Sequence, residues 1–509
     1  MLALFLCWLA MFRASCALGS RLCRGVFDED GEWFPAFWTG FLILSSIALA
    51  VACFTPLTPW VAAALLAPPL LIWRQPPAAP RSFWIVLAAM TYTSSSAERL
   101  YDTGLYHRQL IDWMARDGLV PGLGILHYRL GFSSSWLAWP AFFDHGPLYA
   151  RMGSAATGLA LASIVAHWIQ CAVRCRTLAD RFFVAGAPLL CAYFLSESMI
   201  VSPSPNLGAG CAAFVILWML LSPGAAHFAL LAAGAAATLK ISAAILIPAC
   251  LWRTRRMLAP ALLLMLPLLL ANWRTTGCPI FPSPAGCTET AATLGKETAR
   301  EVEFETRNWA RYVGHYPRDA KFWSLDWFPR WISSERNQLQ FGAAMASLLL
   351  LTIRRQWDAC ATAAAAGFAY VFLLAPDFRF GVGFLTALPG RALAGFRFTL
   401  PRIPAWPMAA AAVVVIVTGS RIGEHVSNKT LPDSRLSWTN ARLLAPVRAW
   451  SPAAPPRFWK HDGSISIPPS VDDRCGAIPR PCAPEYAPRH GMRLCDPSRS
   501  WRGGFCRAR

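Results

Sequence analysis

The chain is 509 residues long, 55% hydrophobic and only 15% charged, with a formal net charge of +19. A soluble fold cannot hide that much apolar surface, so the composition excludes an ordinary soluble enzyme and points to a bilayer as solvent. The arginines stand in short clusters between apolar runs and form no continuous basic face with interleaved aromatics. This argues against a nucleic-acid binder and fits the positive-inside rule.

Taken in chain order, apolar runs separated by breakers predict helices at 2–18, 34–54, 58–73, 82–95, 149–170, 182–200, 207–222, 225–238, 241–252, 257–271, 340–353, 358–376, 381–396 and 405–420. The expected fold is an all-α polytopic membrane protein of about 12–14 transmembrane helices. The N-terminal run lacks a positive start and is interrupted by Arg13, so it reads as a first helix and not as a cleavable signal. Lys240 splits 225–252 into two runs too short to span about 30 Å at about 1.5 Å per residue, which predicts a hairpin that enters the membrane incompletely.

Charge then orients the scheme. Arg21 and Arg24, Arg74 and Arg81, Arg174, Arg176 and Arg181, Arg253, Arg255 and Arg256, Arg354 and Arg355, and Arg397 and Arg402 gather on one side, which is expected to be cytoplasmic. The opposite side receives the loops 96–148, 201–206 and 272–339 and the tail 421–509. The expected organisation is N-terminal helices in 1–95, a first external loop in 96–148, a helical core in 149–271, a second external loop in 272–339, C-terminal helices in 340–420 and an external tail in 421–509.

Of the sixteen cysteines, Cys53, Cys191, Cys211 and Cys250 lie inside apolar runs and behave as small hydrophobes. Cys475, Cys482, Cys495 and Cys506 lie outside any such run. In an oxidising compartment the first two and the last two either close small loops or remain free thiols; their spacing matches zinc motifs poorly. The chain shows no P-loop and no nucleotide-binding unit.

The first long loop carries the chemistry-bearing residues. From Tyr101 to Trp113, the apolar Leu105, Leu110, Ile111 and Trp113 recur at near-helical spacing, predicting a helix along the membrane surface with Asp102, His107 and Arg108 near its start. Taken alone, Asp102 is a helix cap or an ion-pair partner of Arg99 or Arg108. His107 and His127 read as hydrogen-bonding residues; no metal ligands are assigned, and a divalent metal is left open as cofactor. Trp136, Trp139, Trp323, Trp327 and Trp331 read as interfacial anchors.

Tyr101-Asp102, Tyr106-His107, Gly122-Leu-Gly124, His127-Tyr-Arg129-Leu-Gly-Phe132 and Ser134-Ser-Trp136 together resemble a series shared by a group of bacterial envelope proteins. Ser202-Pro-Ser-Pro205, Leu239-Lys-Ile-Ser242, Cys278-Pro-Ile-Phe-Pro282 and Trp309-Ala-Arg311 extend the resemblance over most of 90–340. Asn206 stands where that pattern has an aspartate, and Ile125 and Tyr128 replace an asparagine and a glycine. The group in turn resembles the GT-C superfamily, integral-membrane glycosyltransferases that use polyprenyl-phosphate-linked sugars.

That resemblance implies a GT-C-like fold with an essential acid in the first external loop. Asp102 is the implied general base, with Glu98 assisting. The departing lipid phosphate needs cationic donors, for which Arg108, His127, Arg129, Lys240 and Arg274 are the candidates, and Tyr101 and His107 complete the expected substrate-binding set. Lys240 is the most pointed, because a lysine within the membrane costs about 2.5–3.5 kcal/mol on insertion scales; a snorkelling lysine is the alternative. The implied activity is transfer of a sugar from a polyprenyl-phosphate carrier to an external acceptor at a bacterial inner membrane, with membrane lipids and the lipid-linked sugar as partners. A lipid-linked saccharide flippase and an envelope polysaccharide polymerase are the alternatives.

Overall fold

A computed structural model of the chain describes residues 1–27, 32–72, 78–96, 98, 100–196, 199–251, 255–396 and 403–427, and in the tail 446, 460–462, 465–467, 475, 481–482 and 492–507. Arg74, Arg99, Arg253, Arg397 and Arg402 lie outside the described residues.

The apolar runs fold as helices that approach one another through small residues. α1 (Leu2–Phe27) crosses α2 (Trp33–Ala52) so closely that a Cβ added at Gly19 would collide with the Ala36 carbonyl, and one at Gly40 with the Ser15 carbonyl. Such contacts are how helices associate where lipid supplies no hydrophobic drive between them. α3 (Pro59–Ile72) packs on α1, and α4 (Arg81–Ser94) packs on α8 (Thr157–Arg174). Between α4 and α8 the chain forms the short helices α5 (Arg108–Arg116), α6 (Leu123–Leu126) and α7 (Ala138–Phe143).

The core continues with α9 (Leu178–Ser196), α10 (Pro205–Leu221), α11 (Ala229–Ala236), α12 (Leu246–Leu251) and α13 (Leu258–Thr276). α14 (Lys296–Arg311) and α15 (Phe328–Ile332) build the second long loop, and α16 (Glu335–Ile353), α17 (Ala359–Leu374), α18 (Val382–Ala394) and α19 (Ala405–Ser427) follow. α18 packs on α9, α10 and α17, meeting α10 where Gly383 lies against the Gly210 carbonyl.

Among the described residues, Leu2–Leu22, Trp33–Ala52, Leu178–Ser196 and Arg255–Thr276 are long and apolar enough to cross a membrane; shorter apolar helices include Pro205–Leu221, Ala226–Ala236 and Ile241–Leu251. Leu262, Leu263 and Leu266 on α13 and Val414 and Val415 on α19 are exposed, a surface compatible with lipid as the surrounding solvent. The expected helix at 149–170 starts only at Thr157, after a turn.

The first loop departs most from its sequence reading. The helix after Asp102 forms, as a π-helical turn at Thr103–His107 leading into α5, but it is sunk into the protein: His107, Arg108, Gln109 and Asp112 are buried along with Leu110, Ile111 and Trp113. The alternation of polar and apolar residues reflects polar partners inside the fold, not water on one face. Four of the five expected interfacial anchors are corrected for the same reason. Trp136 packs on Gly208, the Trp139 Nε1–H donates to the Ser45 Oγ at 2.8 Å, and Trp327 and Trp331 are buried, the latter donating to the Pro376 carbonyl at 2.6 Å. Trp323 is 82% exposed.

In the tail, β1 (Lys460–Asp462) pairs with β2 (Ile465–Ile467), and β3 (Met492–Leu494) pairs antiparallel with β4 (Phe505–Arg507). Of the two alternatives left open for the tail cysteines, the structure has the paired one, with disulfides Cys475–Cys482 and Cys495–Cys506, and a third that no spacing signalled joins Cys278 to Cys287. The second hairpin docks on both long loops: the Phe505 amide donates to the Pro121 carbonyl at 3.0 Å and the Arg507 amide to the Ala291 carbonyl at 2.8 Å.

Candidate functional site

Four segments far apart in sequence meet around Asp102. The first is the π-helical turn that follows it, tied at its start by a 2.8 Å hydrogen bond between the hydroxyls of Thr103 and Ser202. The second is the Ser202-Pro-Ser-Pro205 segment, which ends at α10 with Asn206 in the first turn. The third is the break between α11 and the 3-10 turn Ile241–Ile245, where Lys240 is extended (φ −160°, ψ 132°). The fourth is the short link between α17 and α18, where Asp377 caps a turn by accepting from the Arg379 amide at 3.1 Å.

A broken helix within an apolar core leaves carbonyls that need donors. The first loop supplies them: the Ser135 amide donates to the Thr238 carbonyl at 2.9 Å, and the Ser134 hydroxyl donates to the Leu239 carbonyl at 2.7 Å. The serines before Trp136 therefore hold open the break that presents Lys240.

The charges of the cluster are arranged in sequence around Phe380. Arg379 Nη1 lies 3.5 Å from Asp102 Oδ2, and its Nε lies 2.7 Å from Asp377 Oδ2. The guanidinium is 5.1 Å from the ring centres of Phe380 and Trp309. Lys240 donates to Asn206 Oδ1 at 2.6 Å, with its ammonium 3.7 Å from the centre of the Phe380 ring. Arg129 Nη2 is 3.5 Å from Glu305 Oε1, which also accepts from the Tyr128 hydroxyl at 2.7 Å. Glu305 and Trp309 sit one turn apart on α14, so one helix of the second loop contributes both. The Asp102 and Arg379 side chains stay 19% and 20% exposed, so the cluster opens to its surroundings.

His107 sits within electrostatic reach of Asp102, Arg379, Arg129 and Lys240. Burial holds its imidazole down at about 4, with Asp102 opposing and the three cations adding. Burial likewise holds His127 at about 3, with Arg129 adding. Both are neutral near pH 7. Burial, then Asp102, raises the Tyr106 phenol, which is therefore a donor. Among the described residues, no group of three or more His, Cys, Asp and Glu side chains is arranged to hold a metal.

Asp102, His107, Arg129 and Lys240 are thus brought together, with Tyr101, 49% exposed, beside them in the chain. Other expected residues go elsewhere. Arg108 is buried in contact with Asp144, whose other carboxylate oxygen accepts from the Ala150 amide at 2.8 Å. The Glu98 carboxyl packs against Gly153 within electrostatic reach of Arg108 and Asp144, and burial pushes it up to about 7. Arg274 donates to the Leu119 carbonyl while its own carbonyl accepts from the Gly122 amide at 3.1 Å, which fixes the turn at Gly122.

Arg379, Asp377 and Glu305 were not singled out from the sequence. Arg379 did carry a signal: an arginine in the four-residue link 377–380, on the side the charge rule reserves for few cations, calls for a local reason.

The chain belongs to a family described as a domain of unknown function, DUF8201, whose model matches residues 1–386 and so takes in the whole cluster from Asp102 to Phe380. No curated protein and no solved structure matches the chain.

Proposed function

We propose that the protein is a multi-pass glycosyltransferase of a bacterial inner membrane, GT-C-like, that moves a sugar from a polyprenyl-phosphate carrier to an extracytoplasmic acceptor. The observation that carries this reading is the open cluster in which the partly exposed Asp102 carboxylate lies beside Arg379, with Lys240 and the aromatic faces of Phe380 and Trp309 around them. A transferase of this kind needs a base for the acceptor hydroxyl and cations for the departing phosphate within one site.

In the proposed step the acceptor hydroxyl gives its proton to Asp102 as its oxygen bonds to the anomeric carbon. The bond from that carbon to the phosphate oxygen breaks, and the charge developing there is met by Arg379 and Lys240. Arg108, sealed against Asp144, has no part in it. The location is supported by cysteine usage: among the described residues the disulfides fall in the second long loop and the tail, both expected outside, while free thiols such as Cys53, Cys191 and Cys211 sit in or beside helices.

The test is incubation of the purified protein in lipid with radiolabelled polyprenyl-phosphate sugars and envelope acceptors. Wild type is expected to transfer label, and Asp102→Asn to lose at least about 100-fold of the rate. Retention of the rate in that variant would remove Asp102 from the chemistry. Binding of lipid-linked saccharide without transfer from any donor would favour a flippase or polymerase.

A further inference from the structure

The second long loop holds another group of donors, on the other face of α14 from Glu305 and Trp309. Arg307 and Arg311 stand one turn apart on that helix with their guanidiniums 4.7 and 5.3 Å from the centre of the Phe322 ring, and Arg311 also lies 5.5 Å from the centre of the Trp327 ring. Among the described residues neither guanidinium forms an ion pair. The acids nearby are Glu303, within electrostatic reach of Arg307, and Asp319 and Asp326, within reach of the Tyr312 phenol. The charged or titratable neighbours of Arg311 itself are Arg307, which repels it, and Tyr312.

The donors of this group are unspent. The Nε atoms of both arginines, the Trp327 Nε1 and both side-chain polar atoms of Asn308, three residues before Arg311 on α14, are buried without a hydrogen-bond partner. Asn308, Trp327 and Arg311 are 0%, 1% and 3% exposed and so lie out of reach of bulk water. A buried N–H without an acceptor costs the desolvation of that group, and native folds leave few of them. Four such donors, two of them cationic, call for an acceptor with negative charge and several oxygens. Carbonyls aim Arg311 without neutralising it: its Nη1 donates to the Phe322 carbonyl at 2.7 Å and its Nη2 to the Leu373 carbonyl. Arg307 is half-buried, so the group opens to the surface on its side.

The group sits where the second loop meets the end of a membrane helix. Leu373, which accepts from Arg311, closes the apolar α17 on the side expected to be external, and Trp331 of the same loop donates to the Pro376 carbonyl just beyond it. In the stretch between Phe322 and Trp327, Trp323 and Leu325 are 82% and 67% exposed. Cations beside exposed aromatic and aliphatic side chains at the end of an apolar helix match the headgroup region of a bilayer, where phosphate lies above hydrocarbon. We propose that Arg307, Asn308, Arg311 and Trp327 bind the phosphate of an anionic phospholipid of the external leaflet, with Trp323 and Leu325 against its glycerol and acyl chains. This inference stands apart from the transferase reading, because the ligand is a lipid of the bilayer itself and not a sugar donor. It fastens α14 to the membrane surface, and α14 is the helix that carries Glu305 and Trp309 to the cluster around Asp102.

The test is native mass spectrometry of the full-length protein released from detergent micelles and titrated with dioleoylphosphatidylglycerol. The competitors are dioleoylphosphatidylcholine, inorganic phosphate and farnesyl phosphate, and the variants are Arg307→Gln and Asn308→Leu. Wild type is expected to retain phosphatidylglycerol, and both variants to bind it at least about tenfold more weakly. In lipid-free detergent Asn308→Leu is expected to keep the thermal midpoint of wild type or exceed it, since the amide it removes makes no hydrogen bond within the protein. A marked fall in that midpoint would make Asn308 a structural group and overturn its place in the site; Arg307→Gln, altered at the open side, then still reads the binding. Unchanged phosphatidylglycerol binding in both variants would overturn the proposal outright. So would equal competition by inorganic phosphate, which would make the ligand a soluble anion, by phosphatidylcholine, which would remove the need for net charge, or by farnesyl phosphate, which would return the site to a polyprenyl carrier. None of these outcomes bears on the role of Asp102, so the two readings fail separately.

Discussion

The beginning of the first loop feeds two charge clusters of opposite character. Glu98, Arg108 and Asp144 form one, closed in the interior, and Asp102, Arg379 and Lys240 form the other, open at its rim. Asp102 and Glu98 are four residues apart, and His107 and Arg108 are adjacent, yet each pair divides between the clusters. Residue type does not separate them. What does is whether a charge is spent on a buried partner or left at a surface with an incomplete one, which is the difference between holding a loop and meeting a ligand.

The largest effect that would break this comparison is at Arg108. Removing one member of a buried ion pair leaves the other charged and uncompensated, at a cost of about 3–5 kcal/mol. Arg108→Met is therefore expected to lose folded protein, read as a sharp drop in thermal midpoint in detergent, whereas Arg379→Gln stays folded and loses transfer. If Arg108→Met were stable and inactive while Arg379→Gln unfolded, the two clusters would have to exchange roles.

The second effect is pH dependence. Burial raises Glu98 to about 7 from its ordinary 4.5, with Arg108 opposing and Asp144 adding, so between those values the native state holds a proton that the unfolded state has released. Stability from this group is present at low pH and is lost as pH rises from about 4.5 to 7, by up to about 3 kcal/mol. Glu98→Gln removes the dependence, so the variant is expected to gain on wild type across that window in thermal midpoints. His107 and His127, lowered to about 4 and 3 from an ordinary 6.5, act with the opposite sign, losing stability as pH falls below 6.5. Their contribution is common to both proteins and cancels in the comparison.

A somewhat smaller effect concerns the tail. Cys495 and Cys506, 11 positions apart, clip the hairpin whose β4 sits on Pro121 and Ala291, so Cys495→Ser with Cys506→Ser is expected to weaken that docking by about 2–3 kcal/mol. Limited proteolysis should then release the C-terminal segment sooner without altering cleavage within α9 or α18.

Much of the architecture was legible because it rests on local pattern. Apolar runs marked the helices, Lys240 marked the break because a lysine inside an apolar run is anomalous, and the tail cysteines paired as neighbours. Lys240 was singled out by that same anomaly, whereas Asp102 was singled out only through the resemblance, since taken alone it reads as a helix cap or an ion-pair partner. Their partners were not: Asp102 and Arg379 are 277 positions apart and Tyr128 and Glu305 are 177 apart, distances over which no periodicity speaks. Arg108 and Arg129 looked alike in sequence, and only the arrival of Asp144, 36 positions on, seals the first. The depth of the first loop was misjudged because its polar residues have protein partners, which no polarity pattern distinguishes from water.

The finest test lies at Phe380, whose ring faces both Lys240 and Arg379. A cation over an aromatic face gains about 0.5–2 kcal/mol, more as water is excluded, and a leucine keeps the bulk while losing that attraction. Phe380→Leu is thus expected to cost little stability, because neither cation relies on it for a hydrogen bond: Lys240 keeps Asn206 and Arg379 keeps Asp377. The loss should appear as weaker donor binding, several-fold in KM with kcat nearly unchanged, since the ring orients the cations before reaction and touches no reacting atom. An equal fall in kcat would mean that the ring's hold on Arg379 matters at the transition state, and the open cluster would then be more tightly built than its exposure suggests.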